Sequence, residues 1–122
     1  GYALNEVRLL YSLSHPNIVA YHESFYDEPT RTLNIVMEFC DDGDLSGKIK
    51  ANSKKRLGLD EETIWNWFLQ ILRGLKYLHS HKIVHRDLKT ANLFLTKQGV
   101  IKIGDLNISK HLDTERNART QT

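Results

Sequence analysis

Two short polar segments, each next to a run of apolar residues, constrain the fold of this chain more than any other feature. The first segment, residues 84–92, carries Asp87 and Asn92 five positions apart. The second segment carries Asp105, which follows the apolar run 100–103. Short apolar runs bounded by turn residues favour strands, so both segments are expected to lie next to strands. A single functional site requires that the fold bring these carboxylate and amide groups together.

The three side chains have the chemistry of a phosphoryl-transfer site. Asp87 can accept a proton from a substrate hydroxyl, while Asn92 and Asp105 offer the hard oxygen ligands that Mg²⁺ prefers. Phosphoryl transfer from ATP depends mostly on positioning and charge neutralisation, so it needs these groups in one place. The pattern predicts Asp87 as the general base, and Asn92 and Asp105 as magnesium ligands.

At these residues the chain resembles a protein kinase. Residues 85–88, which read His-Arg-Asp-Leu, fit the catalytic-loop pattern together with Asn92. Residues 105–107 lie where the family usually has Asp-Phe-Gly. The amino-acid sequence of residues 35–40 and 43–45, together with the catalytic loop, most resembles that of the NIMA-related Ser/Thr kinases.

The resemblance implies an α+β fold that is part of the two-lobed protein-kinase fold. Residues 1–39 would supply a helix and strands of the N-terminal lobe. Residues 40–122 would supply the hinge, the first helices and the catalytic loop of the C-terminal lobe, as far as the middle of the activation loop. The 122 residues contain no Gly-x-Gly-x-x-Gly loop, no Val-Ala-Ile-Lys strand and no Ala-Pro-Glu motif. The chain is therefore interpreted as a kinase-domain fragment, with negligible activity expected from it alone.

The resemblance also assigns roles around the nucleotide. Lys89 would stabilise the charge of the transferred phosphoryl group, and Glu6 would pair with the Lys that anchors the nucleotide. Arg86 resembles an arginine that grips a phosphate on the activation loop, where Thr120 or Thr122 is the favoured phosphosite. The contacts to adenine and ribose would come from a further set of residues, namely Met37, Glu38, Cys40, Asp44 and Phe94.

Two further expectations concern the segment around Asp105. Leu10, His85 and Leu106 would belong to an apolar stack that connects the N-terminal helix to Asp105. Asn107 replaces the usual Gly. The turn is expected to remain possible, because Asn is one of the few residues that tolerate positive φ, but to be stiffer than with the more permissive Gly.

The implied cofactors are ATP and Mg²⁺, and the implied partners are proteins that present Ser or Thr hydroxyls. The resemblance to NIMA-related kinases implies a cytoplasmic protein that acts at the cytoskeleton, the centrosome or the cilium. The net charge of +2 gives no reason to expect a nucleic-acid or membrane partner, and no apolar run reaches membrane-spanning length. The single cysteine, Cys40, excludes an internal disulfide framework and is typical of a reducing compartment.

Periodicity and turn residues predict the remaining elements. In chain order these are a helix over residues 3–13, strands over 18–26 and 32–39, a helix over 45–51, a long helix after Asp60, and strands over 83–84, 93–96 and 100–103. The long helix carries the strongest periodic signal. Its recurring apolar residues are expected to form core: Ile64, Trp67, Phe68, Ile71, Leu72, Leu75 and Leu78.

Alternative interpretations use the same residues differently. A pseudokinase-like scaffold or interaction module with the same fold is the main one, and the intact Asp87, Asn92 and Asp105 argue against it. Residues 42–49 imitate the start of an EF-hand loop, but Ser53 stands where a bidentate Glu is needed. The same stretch departs from the spacing of a phosphate-binding P-loop by one residue.

Overall fold

A helical segment and a strand pair precede two helices and a second strand pair in the computed structural model, which describes residues 8–54 and 58–106. Residues 8–11 are helical. The elements that follow are β1 (Tyr21–Asp27), β2 (Thr32–Met37), α1 (Leu45–Lys54), α2 (Glu61–Ser80), a 3₁₀ turn (Thr90–Asn92), β3 (Leu93–Leu95) and β4 (Ile101–Ile103). This mixture of strands and helices confirms the predicted α+β class.

β1 and β2 form the predicted antiparallel pair. Tyr21 lies opposite Met37 and Asp27 lies opposite Thr32, with an irregularity between Tyr21 and Glu23. The predicted first strand began at residue 18, but residues 18 and 19 pair elsewhere. Ile18 makes a parallel bridge with Ile103 of β4, so the chain leaves one pairing for another just before β1.

β4 lies at the centre of the packing. It pairs with β3 on one side, with Leu93 opposite Ile103 and Leu95 opposite Ile101. Both isoleucines of β4 are fully buried. The buried apolar cluster around them consists of Leu10, Leu13, Ile18, Tyr21, Leu45, Leu78, Ile83, Leu93, Leu95, Ile101 and Ile103. Because Asp105 follows β4 by two residues, this core determines where that carboxylate lies.

α2 packs against β4 along a narrow face that includes a glycine. A Cβ atom on Gly74 would lie 2.8 Å from Cδ1 of Ile103 and 3.0 Å from the carbonyl oxygen of Asn17. Leu78 is fully buried. The prediction that all seven apolar residues of α2 are core is wrong for three of them, because they lie away from this face: Ile64, Phe68 and Leu72 are 44–48% exposed.

Other predicted bounds also differ from the structure; β2, for example, ends at Met37 and not at residue 39. Residues 83–84 form no strand, because the N–H of Ile83 donates to the carbonyl oxygen of Leu78 at 2.9 Å and so closes the end of α2. α1 extends to Lys54, beyond its predicted end at residue 51. Within the described ranges, no helix has both the length and the apolar character needed to cross a membrane.

Candidate active site

His85 joins the loop of Asp87 to the loop of Asp105. Its Nδ1 accepts a hydrogen bond from the backbone N–H of Asp87 at 3.2 Å, and its Nε2 lies 2.9 Å from the carbonyl oxygen of Gly104. Because Nδ1 accepts, the ring carries its proton on Nε2 and donates it to Gly104. One neutral imidazole therefore ties together two segments that lie far apart in the sequence.

Asn92 makes a second link between the same loops. Its Nδ2 donates to the carbonyl oxygen of Asp87 at 2.7 Å, and its own carbonyl oxygen accepts from the N–H of Gly104 at 2.9 Å. Asn92 is only 5% exposed. Since Nδ2 is held by a carbonyl group, Oδ1 is the atom of this amide that can serve as a metal ligand.

Asp105 has an uncommon backbone conformation, with a φ of 52°. Residues other than glycine rarely adopt this left-handed region, and such conformations concentrate at functional sites. The preceding residue leaves no room for adjustment, because a Cβ atom on Gly104 would lie 2.5 Å from Cε2 of Phe94. The close packing of Gly104 on Phe94 therefore determines the position from which Asp105 leaves β4.

Asn92 and Asp105 line the same cavity, which has a volume of about 340 Å³. The fold thus brings the two predicted magnesium ligands to one place. Leu10 and Leu106 of the predicted apolar stack also line this cavity. The other lining residues come from both strand pairs: Tyr21, Ile35, Met37 and Phe94.

Tyr21 belongs to this cavity, although the sequence analysis did not single it out. It is 9% exposed, and burial raises the pKa of its hydroxyl group. The backbone N–H of Leu106 opposes part of this rise, and the carboxylate of Asp105 adds to it. Tyrosine is common in strands, so nothing in the local sequence distinguishes this residue from an ordinary strand residue. Only the approach of the Asp105 loop gives it a place in the site.

The predicted general base is open to solvent. Oδ2 of Asp87 lies 3.6 Å from Nζ of Lys89, and the two side chains are 53% and 58% exposed. An exposed pair of this kind contributes little to stability. Arg86 is also exposed. The arrangement leaves the Asp87 carboxylate accessible to a substrate as large as a protein.

A second cavity, of about 270 Å³, brings together all five predicted contacts to adenine and ribose. Met37, Glu38, Cys40, Asp44 and Phe94 line it, together with Val19, Phe39 and Gly43. Its mostly apolar walls suit a flat heterocycle. Met37 and Phe94 line both cavities, so the two adjoin.

Glu38 is held by contacts with Ala20 and Lys102. Its N–H donates to the carbonyl oxygen of Ala20 at 2.8 Å, and its Oε1 accepts from the N–H of Ala20 at 3.1 Å. Its Oε2 forms a 3.1 Å ion pair with Nζ of Lys102, a residue that the sequence analysis did not select. The carbonyl group of Glu38 is therefore a more suitable hydrogen-bonding group for a ligand than its N–H.

Cys40 and Asp44 are both influenced by their surroundings. Burial raises the pKa of the Cys40 thiol, and the nearby carboxylate of Glu38 raises it further, so the thiol remains protonated at neutral pH. Oδ1 of Asp44 accepts the N–H of Gly47 at 2.8 Å and so caps α1. The predicted ribose contact at Asp44 would have to share this carboxylate with the helix.

The residues present fit Mg²⁺ better than a metal that needs a complete protein cage. In the part of the chain that the structure describes, no three His, Cys, Asp or Glu side chains cluster into a metal site. Magnesium is usually held by one or two carboxylates, waters and substrate phosphates, which agrees with a pair such as Asn92 and Asp105. The imitation of an EF-hand does not form a calcium loop, because α1 already begins at Leu45.

Several predicted residues lie outside the described ranges. These are Glu6, Asn107 and the two candidate phosphosites, Thr120 and Thr122. Their roles stay predictions.

Comparison with known proteins identifies the family. The family model for the protein kinase domain matches residues 2–122. The chain is 44% identical over 120 residues to "Probable serine/threonine-protein kinase nek2" of Dictyostelium discoideum, which covers 96% of this chain and 29% of that protein. It is 48% identical over 111 residues to "Serine/threonine-protein kinase Nek4" of Mus musculus, covering 91% of this chain and 14% of that protein.

A human relative gives the same result. The chain is 41% identical over 115 residues to "Serine/threonine-protein kinase Nek2" of Homo sapiens, covering 90% of this chain and 26% of that protein. The chain thus spans less than a third of the length of these relatives. The predicted resemblance to NIMA-related kinases is confirmed, and the chain belongs to the protein kinase domain family.

Proposed function

We propose that the full-length protein transfers the γ-phosphoryl group of ATP to Ser or Thr hydroxyls of other proteins, with Mg²⁺ as cofactor. The observation that carries the proposal is the double link at Gly104. His85 and Asn92 both bind Asp87 and both bind Gly104, the residue before Asp105. A proton acceptor and a metal-binding carboxylate are thereby held in fixed relation, which is what phosphoryl transfer requires.

Asp87 has the role of orienting the substrate hydroxyl and accepting its proton. Lys89, whose Nζ lies 3.6 Å from Oδ2 of Asp87, is close enough to stabilise charge on the transferred group. Oδ1 of Asn92 and the carboxylate of Asp105 would hold Mg²⁺, which when bound neutralises the phosphate oxygens. Arg86, whose side chain is exposed, would bind a phosphorylated activation loop.

The base and sugar of the nucleotide would occupy the cavity lined by Met37, Glu38, Cys40, Asp44 and Phe94. The carbonyl group of Glu38 and the backbone of Cys40 would meet the edge of adenine, and Phe94 would lie under the ring. Because Phe94 also contacts Gly104, it connects the adenine cavity to the start of the Asp105 loop. Glu6 would complete the site by pairing with a nucleotide-anchoring Lys.

We also assign the residues to the two lobes of a kinase and propose a cellular location. Residues 1–39 would belong to the N-terminal lobe and residues 40–122 to the C-terminal lobe, with the hinge between them. The names of the relatives, which are those of Ser/Thr kinases, support Ser and Thr over Tyr as acceptor. A cytoplasmic location, at the cytoskeleton, centrosome or cilium, is part of the same proposal.

The proposal is tested with the Asp87→Asn variant of the full-length protein, assayed with ATP, Mg²⁺ and a generic Ser/Thr protein substrate. Loss of the proton acceptor is expected to lower kcat by about 10²–10⁴-fold. Asp60→Asn is the matched control, since this exposed residue precedes α2 and its side chain makes no capping hydrogen bond. Equal activity of Asp87→Asn and wild type would refute the role of Asp87. An inactive wild type that still binds ATP would favour the pseudokinase-like interaction module.

A further inference from the structure

We infer that Gln70 of α2 is a positioning residue for Asp105, an inference that rests on the proposed function. The starting observation is the open edge of β4. β3 pairs with one edge of this strand, while the N–H groups of Ile101 and Ile103 face the other edge. Both residues are fully buried, so each N–H needs a partner from the protein.

Asn17 supplies most of the missing pairing. Its carbonyl oxygen accepts the N–H of Ile103 at 2.8 Å, and its Nδ2 donates to the carbonyl oxygen of Ile101 at 2.9 Å. Val19 continues the pairing, since its N–H donates to the carbonyl oxygen of Ile103 at 3.0 Å. The N–H of Ile101 is left without a strand partner at this edge.

Gln70 takes the place of that partner. Its Oε1 accepts the N–H of Ile101 at 2.8 Å and also accepts Nδ2 of Asn17 at 3.0 Å. Its Nε2 donates to the carbonyl oxygen of Gly99 at 3.1 Å and to Oδ1 of Asn66. One amide therefore binds the turn before β4, the first residue of β4 and the side chain that holds the rest of its edge.

The geometry of β4 transmits this restraint to the site. Asp105 lies four residues after Ile101, and Gly104 between them is packed against Phe94 at a distance that allows no Cβ atom. α2 is also packed closely at Gly74, where a Cβ atom would lie 2.8 Å from Cδ1 of Ile103 and 3.0 Å from the carbonyl oxygen of Asn17. Because both close contacts are rigid, a shift of Ile101 along the strand axis is expected to reach Asp105 rather than be absorbed on the way.

The test uses Gln70→Leu in the full-length protein. This change keeps the volume and removes both the acceptor and the donor. The concentration of Mg²⁺ that gives half-maximal phosphotransfer is expected to rise by about tenfold, as for loss of one partner of a buried hydrogen bond. The KM for the protein substrate should remain unchanged, because Asp87 is positioned by other contacts. If Gln70 had a purely structural role, the variant would have a lower fraction of active protein, with neither the Mg²⁺ requirement nor the KM for the protein substrate changed.

Asn66→Ala is the matched control, because it removes a hydrogen bond of Gln70 that does not involve β4. It should leave the Mg²⁺ requirement unchanged. If Gln70→Leu does not fold, Gln70→Asn replaces it, since the amide is then one methylene group too short to reach Ile101. A folded variant with the Mg²⁺ requirement of wild type, or a control with the same defect, overturns the inference.

A second readout separates this inference from the proposed function. Exchange of the Ile101 amide hydrogen is measured by mass spectrometry or NMR, and it needs no activity. Faster exchange at Ile101 in the variant but not in Asn66→Ala supports the network even if wild type transfers no phosphate. Wild-type protection at Ile101 in a folded variant refutes the network even if the protein is an active kinase.

Discussion

At the scale of single residues, the candidate site depends on groups that satisfy two neighbours at once. His85 uses both ring nitrogens, one for Asp87 and one for Gly104, and Asn92 uses its side chain for Asp87 and its backbone for Gly104. Removal of the His85 ring would break both of its links, whereas removal of the Asn92 side chain would break only the link to Asp87, because the backbone of Asn92 makes the other. The exposed ion pair of Asp87 and Lys89 carries no comparable structural burden.

Gly104→Ala is expected to destabilise the fold by about 1–3 kcal/mol, in the range typical of overpacking. The added Cβ atom would lie 2.5 Å from Cε2 and 2.8 Å from Cδ2 of Phe94, and 3.2 Å from Cγ2 of Val19. Affinity for a fluorescent ATP analogue should fall as well, because Phe94 lines the second cavity, which we propose to hold adenine.

Urea denaturation followed by circular dichroism measures the stability change. Gly58→Ala is the control, since a Cβ atom there meets no heavy atom within 4 Å. A Gly104→Ala protein as stable as this control would show that the contact with Phe94 relaxes freely.

At the scale of elements, helix ends and strand edges position the site. β4 has no complete strand on its second edge, and the amides of Asn17 and Gln70 take over part of the pairing there. α1 begins where the chain leaves the second cavity, with Asp44 both at its start and in the lining of that cavity. The start of α1 and the proposed ribose contact thus use the same side chain.

Asp44→Ala is expected to cost about 1 kcal/mol of stability, because the N–H of Gly47 loses its capping oxygen. Asp44→Asn should retain most of that stability, since Asn caps helices as well as Asp does. Urea denaturation compares the three proteins. Equal stability of Asp44→Ala and wild type would contradict the capping role. Reduced affinity for ATP in the stable Asp44→Asn protein would separately support the ribose contact.

At the scale of the whole molecule, the described residues form one side of a site rather than a closed one. Asn92, Asp105 and the residues of the second cavity line open cavities, and large apolar side chains such as Trp65 and Leu69 on α2 remain 56% and 47% exposed. The printed sequence contains neither a Gly-x-Gly-x-x-Gly motif, which would cover phosphates, nor a Val-Ala-Ile-Lys motif. A catalytic site of this class excludes water only when such parts are present.

The purified 122-residue chain is therefore expected to show no ATP-dependent phosphorylation of a Ser/Thr protein substrate. Incorporation of radiolabelled phosphate measures this directly. The Asp87→Asn form of the same chain gives the background. Incorporation above that background would show that the phosphate-covering loop and the anchoring Lys are dispensable.

Much of the fold and of the site could be predicted from the sequence because the signals are local. The alternation and turn residues around 27–30 predicted the β1–β2 pair, and the long helical period predicted α2. The spacing of Asp87 and Asn92, with Asp105 after an apolar run, predicted a shared site, and the structure brings Asn92 and Asp105 to one cavity. Each of these patterns lies within a short stretch of the sequence and can therefore be recognised without the structure.

The remaining features depend on contacts that local composition does not reveal. Helical periodicity indicated that α2 has an apolar face but not that Ile64, Phe68 and Leu72 lie away from the described core. Residues 83–84 have strand-like composition, yet a hydrogen bond to Leu78 holds them at the end of α2. Packing of α2 on β4 decides the first case, and closure of the helix end overrides strand propensity in the second.

The sequence by itself determined which chemical groups the proposed function can draw on: a carboxylate proposed to accept a proton, an amide and a carboxylate proposed to hold a metal, and a stretch of backbone proposed to meet a nucleotide. Only the tertiary structure decided how they are held together. The ring of His85, the amide of Asn92 and the absence of a side chain at Gly104 fix the distance between the loops. Those restraints arise from close packing and from pairing of buried polar groups, which depend on separation in space and not on separation in sequence.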